Sequence, residues 1–310
     1  MSKIVCTMPM RNEAWCLGLT ARAVLMWADD LIIYNHCCTD TSGEIIKELH
    51  EECTDTSGEI IKELHEEFLP RVHWIEDPNP EWQEMRHRQS LLEAARYLDG
   101  TTHIILVDAD EVLTGPLIPL IRDDILSMPS KCIFQLPWIQ LRGGITEYHS
   151  YGVWAEQNVS FAFVDRPEYH WAQRDGYDFH HRHPMGPQML PFRPIPRKRG
   201  GLMHLQMASE RRLRAKQALY KMTEVLRWPG RSTVEQINAM YNVAVYGQET
   251  PRRDPFIMAQ VPKEWWAPYD RLMGHLKIHA EPWQEARCRE LWAEHGPDKF
   301  KGLDLYGVVG

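Results

Sequence analysis

Short apolar runs alternate with amphipathic segments through the first 136 residues of the chain. The apolar runs have the length of buried strands, and the segments between them carry apolar residues at helical spacing. The predicted strands are 4–8, 31–34, 72–75, 103–107 and 132–136; the predicted helices are 13–27, the segment that follows residue 38, 82–98 and 116–126. This alternation predicts an α/β fold with a mostly parallel sheet flanked by helices, in which ligands bind at the carboxyl ends of the strands.

After residue 137 the pattern changes. Residues 138–200 are rich in aromatic and histidine side chains and show weak periodicity, and two helices are then predicted over 209–226 and 232–246. Ser209 is a predicted N-cap, and Ser232-x-x-Glu235 fits a capping box. We therefore expect an α/β domain over 1–205 and a C-terminal helical extension over 206–310 that packs on it.

One segment of the chain is present twice. Residues 38–52, CTDTSGEIIKELHEE, recur without change as residues 53–67. Repeat architectures need three or more units, so this pair indicates one recent or engineered duplication. Each copy predicts a turn followed by a short helix. Because residues 54–58 would interrupt a single long helix, we expect two helical pieces, with the first copy in the original place after strand 31–34.

The duplication also accounts for the charge of the chain. The 310 residues include 35 Lys+Arg and 43 Asp+Glu, a net charge of −8, and each copy of the repeat contributes −4. The negative balance disfavours a protein that coats nucleic acid or an anionic membrane. With no apolar run of about 20 residues and no signal-peptide pattern, we expect a cytoplasmic protein without a transmembrane segment. The seven cysteines form no C-x-x-C pair, which favours reduced thiols.

The segment 103–111, HIILVDADE, carries the most informative chemistry. A buried strand that ends in Asp108 and Asp110 would place both carboxylates at the edge of the sheet where a cation and a phosphate can meet. Carboxylate oxygens suit Mg²⁺ or Mn²⁺ better than zinc. The competing interpretation is a solvated turn.

Four motifs occur in a fixed order around this segment. They are IVCTMPMRNE at 4–13, LIIYNHCCTDT at 31–41, RQSLLEAA at 88–95 and VDADE at 107–111. Together they resemble the nucleotide-binding half of family-2-like glycosyltransferases of the GT-A fold, a Rossmann-like α/β fold. The resemblance implies a metal-dependent enzyme that moves a sugar from a nucleotide-diphosphate sugar to an acceptor hydroxyl. The expected reaction is a single displacement that inverts the configuration at the anomeric carbon.

The resemblance assigns roles to individual residues. Pro9 and Arg11 would border the nucleotide, and Asn35 would replace the acidic residue that reads the base; an amide can pair with a base edge as both donor and acceptor. Asn35 in place of Asp, and Cys37-Cys38 in place of Gly-Ser, leave the nucleotide open. Together with two residues of a basic loop described below, the full set of candidate donor-binding residues is Pro9, Arg11, Asn35, Asp40, Arg88, Asp108, Arg197 and Lys198.

The implied ligands of the Mn²⁺ or Mg²⁺ ion are Asp108, Asp110 and His204. A neutral imidazole is a competent third ligand, although a histidine packed in a loop is the alternative. Arg197 and Lys198 belong to a basic loop that would close over a diphosphate, or would form a solvated surface loop.

An inverting transfer also needs a base near the acceptor hydroxyl. Asp178 and His181 are the candidates, and Glu111, Glu156 and Asp175 stay open. Tryptophans 138, 154 and 171 would provide flat faces for a sugar, or pack in the core. The acceptor stays open among a glycan, a lipid-linked sugar, a protein and modified nucleic acid.

Two other functions remain in view. A nucleotidyltransferase would also use carboxylates, a metal ion and an α/β sheet, but the chain has no Gly-rich phosphate loop with lysine. A non-catalytic carbohydrate- or nucleotide-binding protein on a transferase fold would bind a donor without turnover.

Deleting residues 53–67 tests the interpretation of the repeat. The shortened chain has 295 residues and a net charge of −4. We expect it to fold and to bind donor at least as well as the full chain, because the first copy follows its strand directly. Circular dichroism and donor titration check this. An unfolded deletion variant would mean that the second copy has become structural.

Overall fold

The computed structural model describes residues 2–55, 71–172, 181–247 and 257–309. The strands in this part of the chain, numbered in chain order, are β1 Lys3–Met10, β2 Asp30–His36, β3 Val72–Asp77, β4 Thr101–Leu106, β5 Glu111–Leu113, β6 Ile133–Gln140, β7 Glu147–His149, β8 Asn158–Val164, β9 Phe192–Pro194, β10 Leu202–His204 and β11 Met258–Gln260. The α-helices are α1 Ala14–Leu25, α2 Ser42–Asp55, α3 Glu84–Tyr97, α4 Ile118–Leu126, α5 Glu210–Arg227, α6 Val234–Tyr246, α7 Lys263–Trp266 and α8 Trp283–His295.

The main sheet has the strand order β3-β2-β1-β4-β8-β6-β10-β5, with β9 beside β6. Strands β3, β2, β1 and β4 run parallel to one another, whereas β8 is antiparallel to both β4 and β6. Every residue of β2 is buried, as expected for a parallel strand covered on both faces. The structure thus confirms the predicted GT-A-like, Rossmann-type α/β fold, with helices on the sheet and further helices in the C-terminal part.

The alternation of side chains along β1 divides the core into two layers. Ile4 and Cys6 belong to the layer that contains Leu17 of α1, and Val5 belongs to the layer that contains Leu92 of α3. Successive residues of a strand point to opposite faces, so a run that is apolar at every position requires a helix on each side. The continuous apolar pattern of β1 therefore explains the helices on both faces.

The chain separates into two compact units, each discontinuous in sequence. The first comprises Met1–Trp138, Gln157–Met203 and Pro262–Lys277; the second comprises Ile139–Glu156, His204–Val261 and Ile278–Gly310. The second unit contains the antiparallel pair of strands β7 and β11, and a core in which Met222 of α5 joins Cys288 and Leu291 of α8. The predicted boundary between residues 205 and 206 stays a prediction.

The starts of two helices in the second unit test the predicted caps. Ser209 Oγ accepts a hydrogen bond from Arg212 N at 3.3 Å, which confirms Ser209 as the N-cap of α5. The predicted box at Ser232 is wrong by one residue, because Thr233 is the N-cap of α6 and exchanges hydrogen bonds with Gln236. Two overlapping pairs of suitable residues lie here, and the register of the helix selects the second.

The first copy of the repeat forms α2 directly after β2, in the place predicted for it. Ile46 and Leu49 bury the apolar face of the helix. The helix continues to Asp55, so residues 54 and 55 of the second copy are helical rather than part of the predicted turn. The predicted second helical piece lies outside the described residues.

Two further expectations concern thiols and membranes. The six cysteines whose side chains the structure describes are free thiols, as predicted. No helix among the described residues has the length and apolar character needed to cross a bilayer.

Candidate functional site

Three of the sequence motifs end at one edge of the sheet. In the β1–β2 pair, Pro9 lies opposite Tyr34 and Met10 opposite Asn35. Strand β4 lies on the other side of β1, and Val107, just after it, donates its amide hydrogen to Thr7 O at 3.3 Å. Because parallel strands share a carboxyl edge, this edge is the expected ligand-binding position of an α/β sheet.

Five charged side chains form what we call the carboxylate–arginine cluster: Glu84, Arg88, Asp108, Glu111 and Arg182. Arg88 of α3 donates from Nε to Glu84 Oε1 at 2.8 Å and from Nη2 to Asp108 Oδ1 at 3.2 Å. Arg182 donates from Nη1 to the other oxygen of Asp108, also at 3.2 Å. The Asp108 carboxylate is thus held by a guanidinium on each side.

Glu111 is the most deeply buried member of this cluster, with an exposed fraction of 0%. Arg182 Nη1 donates to Glu111 Oε1 at 2.7 Å, and Nη2 donates to Oε2. The same Nη2 donates to Leu106 O at 2.6 Å, and Asp108 N donates to Glu111 Oε2 at 2.8 Å. The bidentate pair therefore fixes the turn that follows β4.

The electrostatics of the carboxylate–arginine cluster leave negative charge at the sheet edge. Burial disfavours the charged form of Arg182, but the carboxylates of Asp108 and Glu111 outweigh this effect and raise its pKa. Three carboxylates face two guanidiniums in the cluster, a formal charge of −1. Asp110, which is 8% exposed at the same turn, brings the total to −2.

The tryptophans predicted as sugar platforms have other contacts. Trp138 donates from Nε1 to Glu111 Oε1 at 2.8 Å, so its indole supports the cluster. Trp171 is buried, packs against Phe163 with ring centroids 6.0 Å apart, and donates to His181 O at 3.0 Å. Trp171 therefore packs in the core instead of offering a flat face to a sugar. Trp154 lies in the second unit, with its ring 6.4 Å from that of His149.

The loop after β1 and the turn after β2 are joined through Asn12. Its backbone has a φ of 55°, in the left-handed region that asparagine tolerates. Asn12 Oδ1 accepts from Thr39 N at 2.7 Å and Asp40 N at 3.3 Å. Asp40 Oδ2 in turn accepts from Ala14 N, at the start of α1, at 3.1 Å. Asp40 thus anchors a helix start, and its predicted contact with a donor stays a prediction.

Asn35 and Arg11 are the predicted neighbours of the nucleotide base. Asn35 is 5% exposed and donates from Nδ2 to Glu76 Oε2 at 2.8 Å. Its Oδ1 is buried without a hydrogen-bond partner in the part of the chain that the structure describes. Arg11 is half-buried and donates from Nη1 to Pro80 O at 3.1 Å. An amide oxygen with unused capacity is a suitable acceptor for a ligand.

The remaining predicted donor and metal residues lie further along the chain. Arg197 and Lys198 are exposed in a 3₁₀ turn, where Arg197 Nη2 donates to Gln157 O at 3.3 Å. His204 is buried in the second unit, with Nδ1 2.8 Å from Gln140 Oε1. Arg197 and Lys198 belong to the first unit. Their predicted roles, and that of His204, stay predictions.

The predicted base has one described candidate. Asp178 and the alternative Asp175 lie outside the described residues. His181 is exposed, and its ring centroid is 5.4 Å from that of His183. The alternative Glu156 is exposed in the second unit, and Glu111 is enclosed by Arg182 and Trp138. The role of His181 as a base stays a prediction.

A second group of titratable residues lies at the ends of β2 and β3 beside α3. We call His36, Asp77 and His87 the histidine cluster; one ligand atom from each lies within 4.8 Å of the other two. Burial lowers the pKa of His36 and lowers that of His87 to about 3. Burial alone would raise the pKa of Asp77, but hydrogen bonds from Asn79 N and the Tyr34 hydroxyl hold it below its ordinary value.

Sequence reasoning missed the importance of Arg182 and of the histidine cluster. Arg182 lies in the charged run at 177–183, but nothing in its spacing pairs it with residues 70 positions earlier. His36 follows Asn35 directly, and Asp77 ends the next strand. Polar residues at the ends of two adjacent strands were the available signal for this cluster.

No protein-family model and no curated protein sequence matches this chain. Among solved structures, the crystal structure of S. aureus TarS is 10% identical with a TM-score of 0.38, covering 96% of this chain and 54% of that one. The crystal structure of S. aureus TarS 1–349 is 13% identical with a TM-score of 0.32, covering 49% and 38%. A mycobacterial protein is 13% identical with a TM-score of 0.27, covering 46% and 42%. The chain thus spans about half or less of the length of these proteins, and similarities this distant carry no information about activity.

Proposed function

We propose that the chain is a metal-dependent glycosyltransferase that moves a sugar from a nucleotide-diphosphate sugar to an acceptor hydroxyl. One observation carries the proposal. Strands β1, β2 and β4 are parallel neighbours, and their shared carboxyl edge gathers Pro9, Asn35 and the turn with Asp108 and Asp110. These are the positions at which the sequence motifs resemble those of GT-A glycosyltransferases.

The donor nucleotide would lie over the ends of β1 and β2. Asn35 Oδ1 can accept a hydrogen bond from a base edge, because its amide nitrogen is already directed to Glu76. Arg11, in the loop after β1, supplies a positive charge for the diphosphate. Asn12 fixes this loop to the turn after β2, which keeps the two binding elements in register.

The residues at the turn after β4 fit a hard divalent cation. The available donors are carboxylate oxygens, which suit Mg²⁺ or Mn²⁺, and the group has a residual formal charge of −2. Both oxygens of Asp108 already accept from arginines. These contacts orient Asp108, which would face the ribose or the ion, and the resemblance assigns Asp110 as the principal ligand. A bound ion would supply positive charge that stabilises the departing diphosphate.

The chain itself would provide the proton acceptor. In a single displacement the acceptor oxygen bonds to the anomeric carbon as the bond to the diphosphate oxygen breaks, and a base takes the acceptor hydroxyl proton. His181 is the described candidate for that base, because it is exposed and stands one residue before Arg182, which joins the carboxylate–arginine cluster.

Replacing Asp110 by asparagine tests the proposal. We expect Mn²⁺-supported binding of the preferred donor, among UDP-, GDP-, ADP- and TDP-sugars, to weaken at least tenfold, because the variant loses a charged oxygen ligand. Isothermal titration calorimetry with and without Mn²⁺ measures this. The matched control is Asp99→Asn, an exposed aspartate away from the sheet edge, which should bind as the unchanged protein does.

Assays with the same sugar nucleotides distinguish the proposed function from its alternatives. Absence of binding and of slow sugar-nucleotide hydrolysis for every donor would contradict the proposal, as would unchanged binding in Asp110→Asn. Donor binding that needs no metal and gives no turnover favours a non-catalytic binding protein. Release of pyrophosphate from a nucleoside triphosphate favours a nucleotidyltransferase.

A further inference from the structure

We propose that the histidine cluster is a binding site for a borderline transition-metal dication, with Zn²⁺ as the reference ion, ligated by His36, Asp77 and His87. The three side chains come from the end of β2, the end of β3 and the first turn of α3. An ion bound there would tie together three elements that are separate in sequence. The site does not depend on the proposed transferase activity.

The positions of the ligand atoms fit a single ion. One nitrogen or oxygen from each residue lies within 4.8 Å of the other two. With zinc–nitrogen bonds of about 2.0–2.1 Å, ligand atoms of a tetrahedral site lie about 3.4 Å apart. Small rotations of side chains at the edge of a sheet close this difference. His87 Nε2 is already 3.8 Å from Asp77 Oδ2.

The hydrogen bonds around the cluster have the pattern of a supporting shell. His36 donates from Nε2 to Glu81 O at 3.1 Å, which leaves the lone pair on Nδ1. Histidine ligands of metals commonly donate their second ring nitrogen to a carbonyl or carboxylate in this way. Asp77 is oriented by the Tyr34 hydroxyl at 2.8 Å and by Asn79 N at 3.0 Å. Two of the three ligands are therefore positioned by other groups.

Buried ring nitrogens in the histidine cluster lack hydrogen-bond partners. In the described part of the chain, Nδ1 of His36 and Nδ1 of His87 are buried without a hydrogen-bond partner, and both side chains are at most 1% exposed. Buried polar groups in folded proteins are normally satisfied, so two orphans in one cluster require an explanation. An ion coordinated by Nδ1 of His36 explains the orphan on that residue, whereas His87 faces Asp77 with Nε2, so its Nδ1 is not a ligand of the same ion.

Aromatic rings enclose the cluster. The Tyr34 ring stacks on His87 with centroids 4.6 Å apart, and the Trp82 ring meets both imidazoles edge-on, at 5.1 Å from His36 and 4.8 Å from His87. An apolar wall of this kind limits solvent access and strengthens electrostatic contacts with an ion.

The donor set distinguishes this site from the carboxylate edge. Two imidazoles and one carboxylate suit Zn²⁺, Co²⁺ or Ni²⁺, whereas an oxygen-only set suits Mg²⁺ or Mn²⁺. We therefore expect the histidine cluster to bind Zn²⁺ in the presence of millimolar Mg²⁺. The two sites should be separable by the choice of ion and by mutation.

The experiment titrates the full chain, freed of metal by chelation, with Zn²⁺ and with Co²⁺. We expect one equivalent of tightly bound Zn²⁺ and a Co²⁺ absorption spectrum typical of nitrogen and oxygen ligands. His87→Gln and Asp77→Asn should each weaken binding at least tenfold. The control is His103→Gln, a buried histidine of β4 outside the cluster, and Asp110→Asn should also retain the zinc.

Three results would overturn the proposal. They are less than one-tenth of an equivalent of bound Zn²⁺, binding that is unchanged in both cluster variants, and binding that is lost in Asp110→Asn instead. Circular dichroism establishes that each variant is folded. If His87→Gln fails to fold, the near-isosteric Asp77→Asn and the Co²⁺ spectrum of the unchanged chain decide. Failure of this site leaves the donor-binding test untouched, because that test is made with Mn²⁺ and Asp110.

Discussion

The Arg182→Met variant should lose about 3–5 kcal/mol of unfolding free energy, the range for breaking a buried ion pair by removing one partner. Arg182 holds both oxygens of Glu111, which is 0% exposed, and one oxygen of Asp108. Without the guanidinium, the fully buried carboxylate of Glu111 keeps its hydrogen bonds from Trp138 Nε1 and Asp108 N but loses its paired charge. Unfolding by guanidinium chloride, monitored by tryptophan fluorescence, measures this loss of free energy.

Two further variants establish the cause of this loss. Arg166→Met removes an exposed pair with Glu168, and such pairs contribute little, so its stability should stay close to that of the unchanged protein. The double variant Arg182→Met/Glu111→Met removes both buried charges and should recover more than half of the loss. A loss below about 1 kcal/mol in Arg182→Met would contradict the electrostatic account.

The free energy of unfolding of the second unit should increase between pH 7 and pH 9.5 because Lys221 is buried. The Lys221→Met variant should lack this increase. The lysine is fully buried, and burial lowers its pKa to about 8. The unfolded chain, with a lysine pKa near 10.4, therefore binds more protons in this window, so stability increases with pH. The pKa difference gives a rise of about 2 kcal/mol from pH 7 to pH 9.5.

Because of the contacts of Lys221, the slope of the unfolding free energy against pH is a better readout than the stability at a single pH. Its Nζ donates to Asn242 Oδ1 at 2.6 Å and to Asp304 O at 2.7 Å, and lies 4.1 Å from the Tyr306 ring centroid. Methionine loses these contacts but also removes a buried charge, so the two effects oppose each other at pH 7. Lys299→Met, at an exposed lysine of the same unit, should keep the slope. Parallel curves for the unchanged protein and Lys221→Met would refute the assignment.

Most of the first half of the fold follows from local pattern. Each strand and helix predicted up to residue 136 is present where the structure describes the chain, because buried runs such as 31–34 and 103–107 are apolar on both faces. Strand β8, between β4 and β6, was missed. It lies in the aromatic-rich region with weak periodicity, and it is recognisable only through its antiparallel partners.

The candidate site, too, could be predicted from the sequence only in part. The sequence places the turn with Asp108 and Asp110 at the end of a strand, because the apolar run 103–107 stops directly before it. The position of the second guanidinium that holds Asp108 could not be predicted, because Arg182 is 74 residues away along the chain and lies in no regular element. Likewise, the predicted tryptophan platform at 171 proved to be core, since a flat apolar ring satisfies either environment.

By itself, the sequence determined the α/β class, the order of the early elements, the identical repeat and the position of the acidic turn. These features follow from the spacing of apolar residues and from the order of residues along the chain, and both exist before the chain folds. Only the tertiary structure decided which charges pair in the carboxylate–arginine cluster and which imidazoles meet Asp77. Such pairings depend on the approach of segments distant in sequence, and burial then sets the energy of each contact.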